Sequence, residues 1–157
     1  MTRNIWLLLA AGAFATLAFD IVGQSLSPLF GQSRLAPVPL ANAVLKTVFG
    51  SGHRPSAYML HILTGLLAYP LAWALVVAPL SQRLTPQIPT LLISAFYGIA
   101  LWVFALYGMA HLVAGMKPFL GFTNITWVAL VGHVIYAIVL SESFTRLSRA
   151  QGQPASA

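Results

Sequence analysis

Apolar residues in this chain fall into four long runs, and nine of the ten charged residues and seven of the ten prolines lie outside them. The runs cover about residues 5–23, 57–80, 89–114 and 123–140. Each is long enough for a helix to cross about 30 Å of hydrocarbon, at a rise of about 1.5 Å per residue. The pattern predicts an all-α fold, an integral membrane four-helix bundle that forms a single domain over residues 1–157.

The first connection, residues 24–56, is long and rich in proline, glycine and serine. Within it, a helical period relates Leu40, Val44, Leu45, Val48 and Phe49, and Pro39 suits a first helical turn. These residues predict a short amphipathic helix that lies in the membrane interface. A lid packed over the mouth of the bundle is the alternative, and the sequence leaves both interpretations open.

The two ends of the chain carry further expectations. Residues 5–23 resemble a signal peptide, because Arg3 precedes an apolar run that contains small residues such as Ala13 and Ala15. The run continues unbroken to Val22, so we expect the first span to be retained. The fourth helix should continue past residue 140 into water, and residues 151–157 should form a disordered tail.

Composition supports a membrane protein. Hydrophobic residues make up 59% of the chain and charged residues 6%, against roughly 25% charged in an ordinary soluble domain. The net charge of +6 comes from eight scattered Lys and Arg residues that form no basic patch. We interpret them as membrane anchors that flank the spans. The lipid bilayer is therefore the expected partner, and nucleic acid is not.

Several kinds of chemistry are excluded or disfavoured by the sequence. The chain has no cysteine, which excludes disulfides, thiolate metal sites and cysteine nucleophiles. It contains no phosphate-binding loop, dinucleotide fingerprint or nucleophile elbow. An enzyme is therefore the less favoured interpretation.

The candidate chemistry lies inside the spans, each of which carries one ionisable residue on a face of small residues. Such residues are costly in a membrane and usually face the interior of the bundle. Because the spans alternate in direction, three of these residues should share a layer opposite the termini, with His133 roughly 15 Å deeper. The candidate site residues are Asp20, His61, His111, His133, Tyr107 and Tyr136.

Three interpretations of this set remain open. In the structural one, Asp20 accepts a hydrogen bond from His61 or His111, and His133 bonds a backbone carbonyl or Tyr107. Each such bond would stabilise the bundle by about 0.6 to 2 kcal/mol. The protein would then suit an accessory subunit of a larger membrane complex, or a homo-oligomer formed through small residues such as Ala11.

The second interpretation is a redox or metal protein. His61, His111 and Asp20 would form a two-histidine, one-carboxylate set for a divalent metal, or the two histidines would be axial ligands of haem b. It is not favoured, because no helix carries two histidines at ligand spacing. In the third interpretation, the site binds or relays a proton, an ion or a small polar ligand.

Three short motifs carry a family resemblance: HILTG from His61, MAHLVAGMKPFLG up to Gly121, and GHVIYA from Gly132. Their order resembles that of the YagU-type bacterial inner-membrane proteins of unassigned function. That family similarly places a histidine early in its second span, one before a Gly/Pro turn and one in a Gly-His pair. Here the first connection is shorter and differently composed. The resemblance implies a bacterial inner membrane and a contribution to acid tolerance, and thus favours the proton interpretation.

The number of basic residues on each side of the membrane does not decide the topology. Four basic residues lie on the side of the termini and four on the opposite side. Because Arg146 and Arg149 lie close together after the last span, we expect the termini to be cytoplasmic.

Overall fold

The computed structural model describes residues 2–150 and residue 152, so the predicted tail of residues 151–157 lies outside the described part except for Gly152. Within this part every regular element is a helix, and no strand is present. Four of the described helices are long and apolar enough to cross a membrane. The predicted all-α membrane bundle is confirmed.

Five helices and one short 3₁₀ helix, Pro118–Phe122, make up the described fold. The 3₁₀ helix lies between the last two of the five helices. In chain order the five helices are α1 (Ile5–Leu29), α2 (Pro37–Phe49), α3 (Arg54–Leu84), α4 (Thr90–Val113) and α5 (Asn124–Ala150). Helices α1, α3 and α5 run beyond the predicted ends of their spans. A helix keeps its backbone hydrogen bonds past the edge of the hydrocarbon, whereas hydropathy marks only the part that suits lipid.

Helices α1 and α4 both pack along α5, and α3 packs on α1. Small residues allow the close approach: Ala11, Ala15 and Ala137 are completely buried. At Gly98, an added Cβ atom would lie 2.5 Å from the Cα of Val134 on α5. Ala11 and Ala15 are therefore used inside the bundle, and a homo-oligomer stays a prediction.

Helices α3 and α4 contact each other at Tyr69 and Trp73 of α3 and at Tyr97 of α4. The Tyr97 hydroxyl of α4 donates to the backbone carbonyl of Tyr69 at 2.7 Å, and its ring lies 5.5 Å from that of Trp73. Farther from the loop that joins α3 and α4, residues of both helices line a cavity. The contact at Tyr97 therefore closes one end of the space between α3 and α4.

Pro70 shapes the middle of α3. It follows a π-helical segment, Thr64–Ala68, in which backbone N–H groups bond to carbonyls five residues back. Proline has no N–H, so the Gly65 carbonyl lacks the backbone donor that residue 70 would otherwise supply. The Tyr136 hydroxyl of α5 donates to that carbonyl at 2.6 Å. A side chain from another helix thus replaces the missing backbone donor in α3.

This replacement of the donor predicts a coupling between Tyr136 and Pro70. Tyr136→Phe leaves a buried carbonyl unpaired and should lower the free energy of unfolding by about 1 to 3 kcal/mol. In a Pro70→Ala background, the new N–H can bond to the Gly65 carbonyl, so the loss should fall below about half of that value. Unfolding of the four variants in mild detergent measures the coupling. Equal losses of unfolding free energy in both backgrounds would contradict the replacement of the missing donor by Tyr136.

Candidate functional site

A partly open cavity of about 760 Å³ lies between α3 and α4. Residues of α1 and α5 also line it, and α2 covers it. Most of the lining is apolar, including Leu101, Ala105 and Met109 of α4. Its few polar side chains are Thr16, His61, Thr64, Tyr69, His133 and Tyr136. The cavity brings together three of the predicted site residues, His61, His133 and Tyr136.

Helix α2 confirms the predicted helix in the first connection and shows where it packs. It contacts the start of α3 and the end of α4, and Pro39, Leu40 and Val44 line the cavity. Its last residue before Gly50, Phe49, is 73% exposed. Gly50 ends the helix with a φ of 75°, a left-handed conformation that suits glycine. Of the two interpretations, the position of α2 agrees with the lid.

The part of the connection that precedes α2 is tied to both α1 and α5. The backbone N–H of Leu35 donates to the carbonyl of Gly23 at 2.8 Å, and the Leu35 side chain packs on that glycine. On α5, the Asn124 side chain accepts from the Ser33 N–H at 2.7 Å and donates to Gln32 at 2.6 Å. These contacts position α2 over the cavity.

Asp20 and His61 form a contact between α1 and α3. The Nε2 atom of His61 lies 3.2 Å from Oδ1 of Asp20, and the Gln24 side chain donates to the same oxygen at 2.7 Å. Because a carboxylate only accepts, Nε2 of His61 carries the proton of this bond. His61 also lines a second pocket of about 520 Å³, which includes Asp20 and Arg34. The pair therefore lies at the boundary between the two spaces.

His133 lies on α5 and is 6% exposed. Its Nδ1 atom is 2.7 Å from the carbonyl of Ala129, one turn earlier in the same helix. A carbonyl only accepts, so Nδ1 is the protonated nitrogen. The Phe19 ring meets the His133 ring edge-on at 5.1 Å and lies 6.2 Å from the His61 ring. Phe19 thus contacts both histidines, although His133 was expected to lie in a deeper layer.

His111 and Tyr107 lie apart from these residues. Nδ1 of His111 donates to the carbonyl of Met116 at 2.8 Å, just after the end of α4, and the Tyr107 ring lies 5.3 Å from it. Neither residue lines the cavity. His111 therefore satisfies a carbonyl beyond its own helix, a common role for a histidine near a helix end.

This separation corrects the predicted metal set. Among residues 2–150 and 152, no group of three His, Asp or Glu side chains could hold a metal ion. His61 and Asp20 are in contact, but His111 does not join them, and it does not share the cavity with His61 as a second haem ligand would.

The described side chains also form no hydrogen bond from one histidine to another. The apolar ring of Phe19 contacts both His61 and His133. A relay of protons through these residues would therefore need carriers other than the side chains themselves.

Sequence reasoning missed Phe19 and Tyr69, which line the cavity and contact its polar residues. Both resemble ordinary lipid-facing aromatics in the sequence. A weak signal existed for Thr16, because Gly12, Thr16 and Asp20 recur on one face of α1. In the structure the Thr16 hydroxyl donates to the carbonyl of Gly12 at 2.8 Å.

Comparison with protein-family models, curated proteins and solved structures gives no match to this chain. Any functional assignment therefore depends on the geometry of the cavity and its polar residues.

The contact between Asp20 and His61 predicts an energetic coupling of about 0.6 to 1.7 kcal/mol in a double-mutant cycle of Asp20→Ala and His61→Ala. The free energy of unfolding in mild detergent is the measurement. His111→Ala combined with Asp20→Ala is the matched control, because these residues share no contact, and its effects should add within about 0.5 kcal/mol. Equal couplings in the two cycles would contradict the assignment.

Proposed function

We propose that this protein binds a small, mostly apolar molecule in the cavity between α3 and α4. One observation carries the proposal: the four spans and α2 surround a partly open space of about 760 Å³ lined mainly by apolar side chains. Sites for small molecules usually measure about 300 to 1,000 Å³ and combine an apolar lining with a few polar groups. The volume and the lining both fit that description.

The lining narrows the original hypothesis of a proton, an ion or a small polar ligand. An ion leaving water needs several oxygen or nitrogen ligands around it, and a very polar solute needs comparable compensation. The polar groups here are few and are mostly engaged with the protein. A molecule with a long apolar part and one polar group suits the cavity better.

The bilayer is the proposed source of the ligand. Phe104 of α4 lines the cavity and is also half exposed, and Ala68 of α3 lines it and is exposed. These residues favour an opening between α3 and α4 toward the surrounding lipid. Helix α2 would then cover the cavity from the side of the first connection.

A structural role for the polar residues is the second candidate, favoured by the contact of Asp20 with His61. That contact joins two spans, and it is complete without any ligand. Under this alternative, Asp20→Asn would lower the melting temperature, and the wild type would show no saturable binding of an apolar ligand. A subunit role in a larger membrane complex, and a proton relay, stay predictions.

The proposed location is the bacterial inner membrane, with both termini in the cytoplasm. The motif resemblance supports the membrane, and the pair of arginines near the end of α5 supports the orientation.

Filling the cavity should weaken ligand binding. Ala68→Phe places a ring where the ligand would lie, so binding of tritiated 1-dodecanol should weaken at least about tenfold. The assay uses the purified protein in lipid nanodiscs, with empty nanodiscs measuring partition into lipid.

Ala100→Phe is the matched control, because Ala100 is exposed on α4 and does not line the cavity. It should bind the probe as the wild type does. If the wild type shows no saturable binding above empty nanodiscs, the proposed function is wrong. If both variants lose binding equally, the ligand does not lie in this cavity.

The orientation has a separate test. A fluorescent-protein fusion after Ala157 should fluoresce in cells, because this reporter folds in the cytoplasm, and an alkaline phosphatase fusion at the same point should be inactive. An active phosphatase fusion would place the termini on the opposite side.

A further inference from the structure

The polar groups around the cavity have used most of their donors within the protein. The Tyr136 hydroxyl donates to the Gly65 carbonyl, the Thr16 hydroxyl to the Gly12 carbonyl, and Nδ1 of His133 to the Ala129 carbonyl. What these three side chains can still offer a ligand is an acceptor.

His133 gives the clearest case. Its Nδ1 atom carries the proton, so Nε2 of the neutral ring holds a lone pair, and it has no hydrogen-bond partner among the described residues. No described carboxylate contacts His133. A buried charge without a partner is costly, which favours the neutral ring. Nε2 therefore accepts a hydrogen bond and cannot donate one.

The other polar groups of the cavity do not discriminate in this way. His61 directs the proton of Nε2 to Asp20, so its ring is engaged in the contact between α1 and α3. The hydroxyls of Thr64 and Tyr69 also line the cavity and have no described partner. A hydroxyl can donate or accept, so these two groups do not discriminate between ligands. The Nε2 atom of His133 does.

We infer, on the basis of the proposed function, that the ligand's polar group is a hydrogen-bond donor, so that the cavity selects a membrane-soluble alcohol or amine. A hydroxyl can donate to Nε2 of His133 and still accept from the Thr64 or Tyr69 hydroxyl. An ether or ketone can only accept, and it leaves the histidine nitrogen unpaired in an apolar space. Rejection of an analogue that lacks the donor follows from that unpaired group.

Two isomers test the inference: 1-dodecanol and 1-methoxyundecane have the same atoms, but only the alcohol has a donor. Each is used to displace tritiated 1-dodecanol from wild-type protein in lipid nanodiscs, with partition into empty nanodiscs subtracted. The alcohol should bind about fivefold more tightly than the ether, the size expected for one net hydrogen bond.

His133→Leu removes the acceptor and retains an apolar side chain, so the preference should fall to about one, through weaker binding of the alcohol. His111→Leu is the matched control, because His111 lies outside the cavity, and the preference should persist in it. Loss of the preference in both variants would overturn the assignment to His133.

The wild type alone can also decide the question if His133→Leu does not fold. In protein labelled with ¹⁵N in its histidines, 1-dodecanol should shift the resonance of an unprotonated ring nitrogen, and the ether should not. Saturable binding with equal affinities for the two isomers would overturn the donor inference and leave the proposed function intact. Absence of saturable binding would overturn both.

Discussion

The hydrogen bond from Tyr136 to the Gly65 carbonyl is the interaction on which the arrangement of the cavity depends. A backbone carbonyl inside a membrane has no water to pair with, so it must find a donor within the protein. Pro70 removes the donor that α3 would have supplied, and α5 provides a replacement. This fixes α3 against α5 at the middle of the bundle. Helices α3 and α4 contact each other at Tyr97 and Tyr69, and the cavity lies on the side of that contact farther from their loop.

The same requirement explains where most of the polar side chains direct their protons. Thr16, His133 and His111 each donate to a backbone carbonyl in or just beyond their own helix. In lipid such bonds form at little cost in free energy, because donor and acceptor are already close along the chain. Their consequence is chemical as well as structural. A side chain that has given its only proton to the backbone faces its surroundings with a lone pair, and a cavity built from such side chains is biased toward acceptors.

The sequence predicted the four spans, the helix in the first connection and the nearness of Asp20 to His61. Hydropathy identifies lipid-buried runs directly, and alternating directions give the depth of each residue. The depth of a residue does not give its angle around the helix axis. This is why His111 was wrongly grouped with Asp20 and His61. Its helix ends in a ten-residue π-helical segment, Phe104–Val113. A π turn takes more residues than an α turn, so faces counted with the α period drift along such a segment. The role of Pro70 depends on a partner far away in sequence, which no local pattern reveals.

One ionisable residue in each span looked like a single site, but the structure divides these residues among three roles. Asp20 and His61 satisfy each other and join two helices. His111 satisfies a carbonyl just past the end of α4. His133 satisfies one carbonyl with Nδ1 and keeps Nε2 without a described partner in a space that can hold a molecule. Nδ1 of His61 and Nε2 of His111 also have no described partner, but His61 is engaged with Asp20 and His111 lies outside the cavity. Since an unpaired polar group in an apolar cavity costs stability, the bundle gains most from a molecule that pairs with His133, and ligand recognition is best sought at that nitrogen.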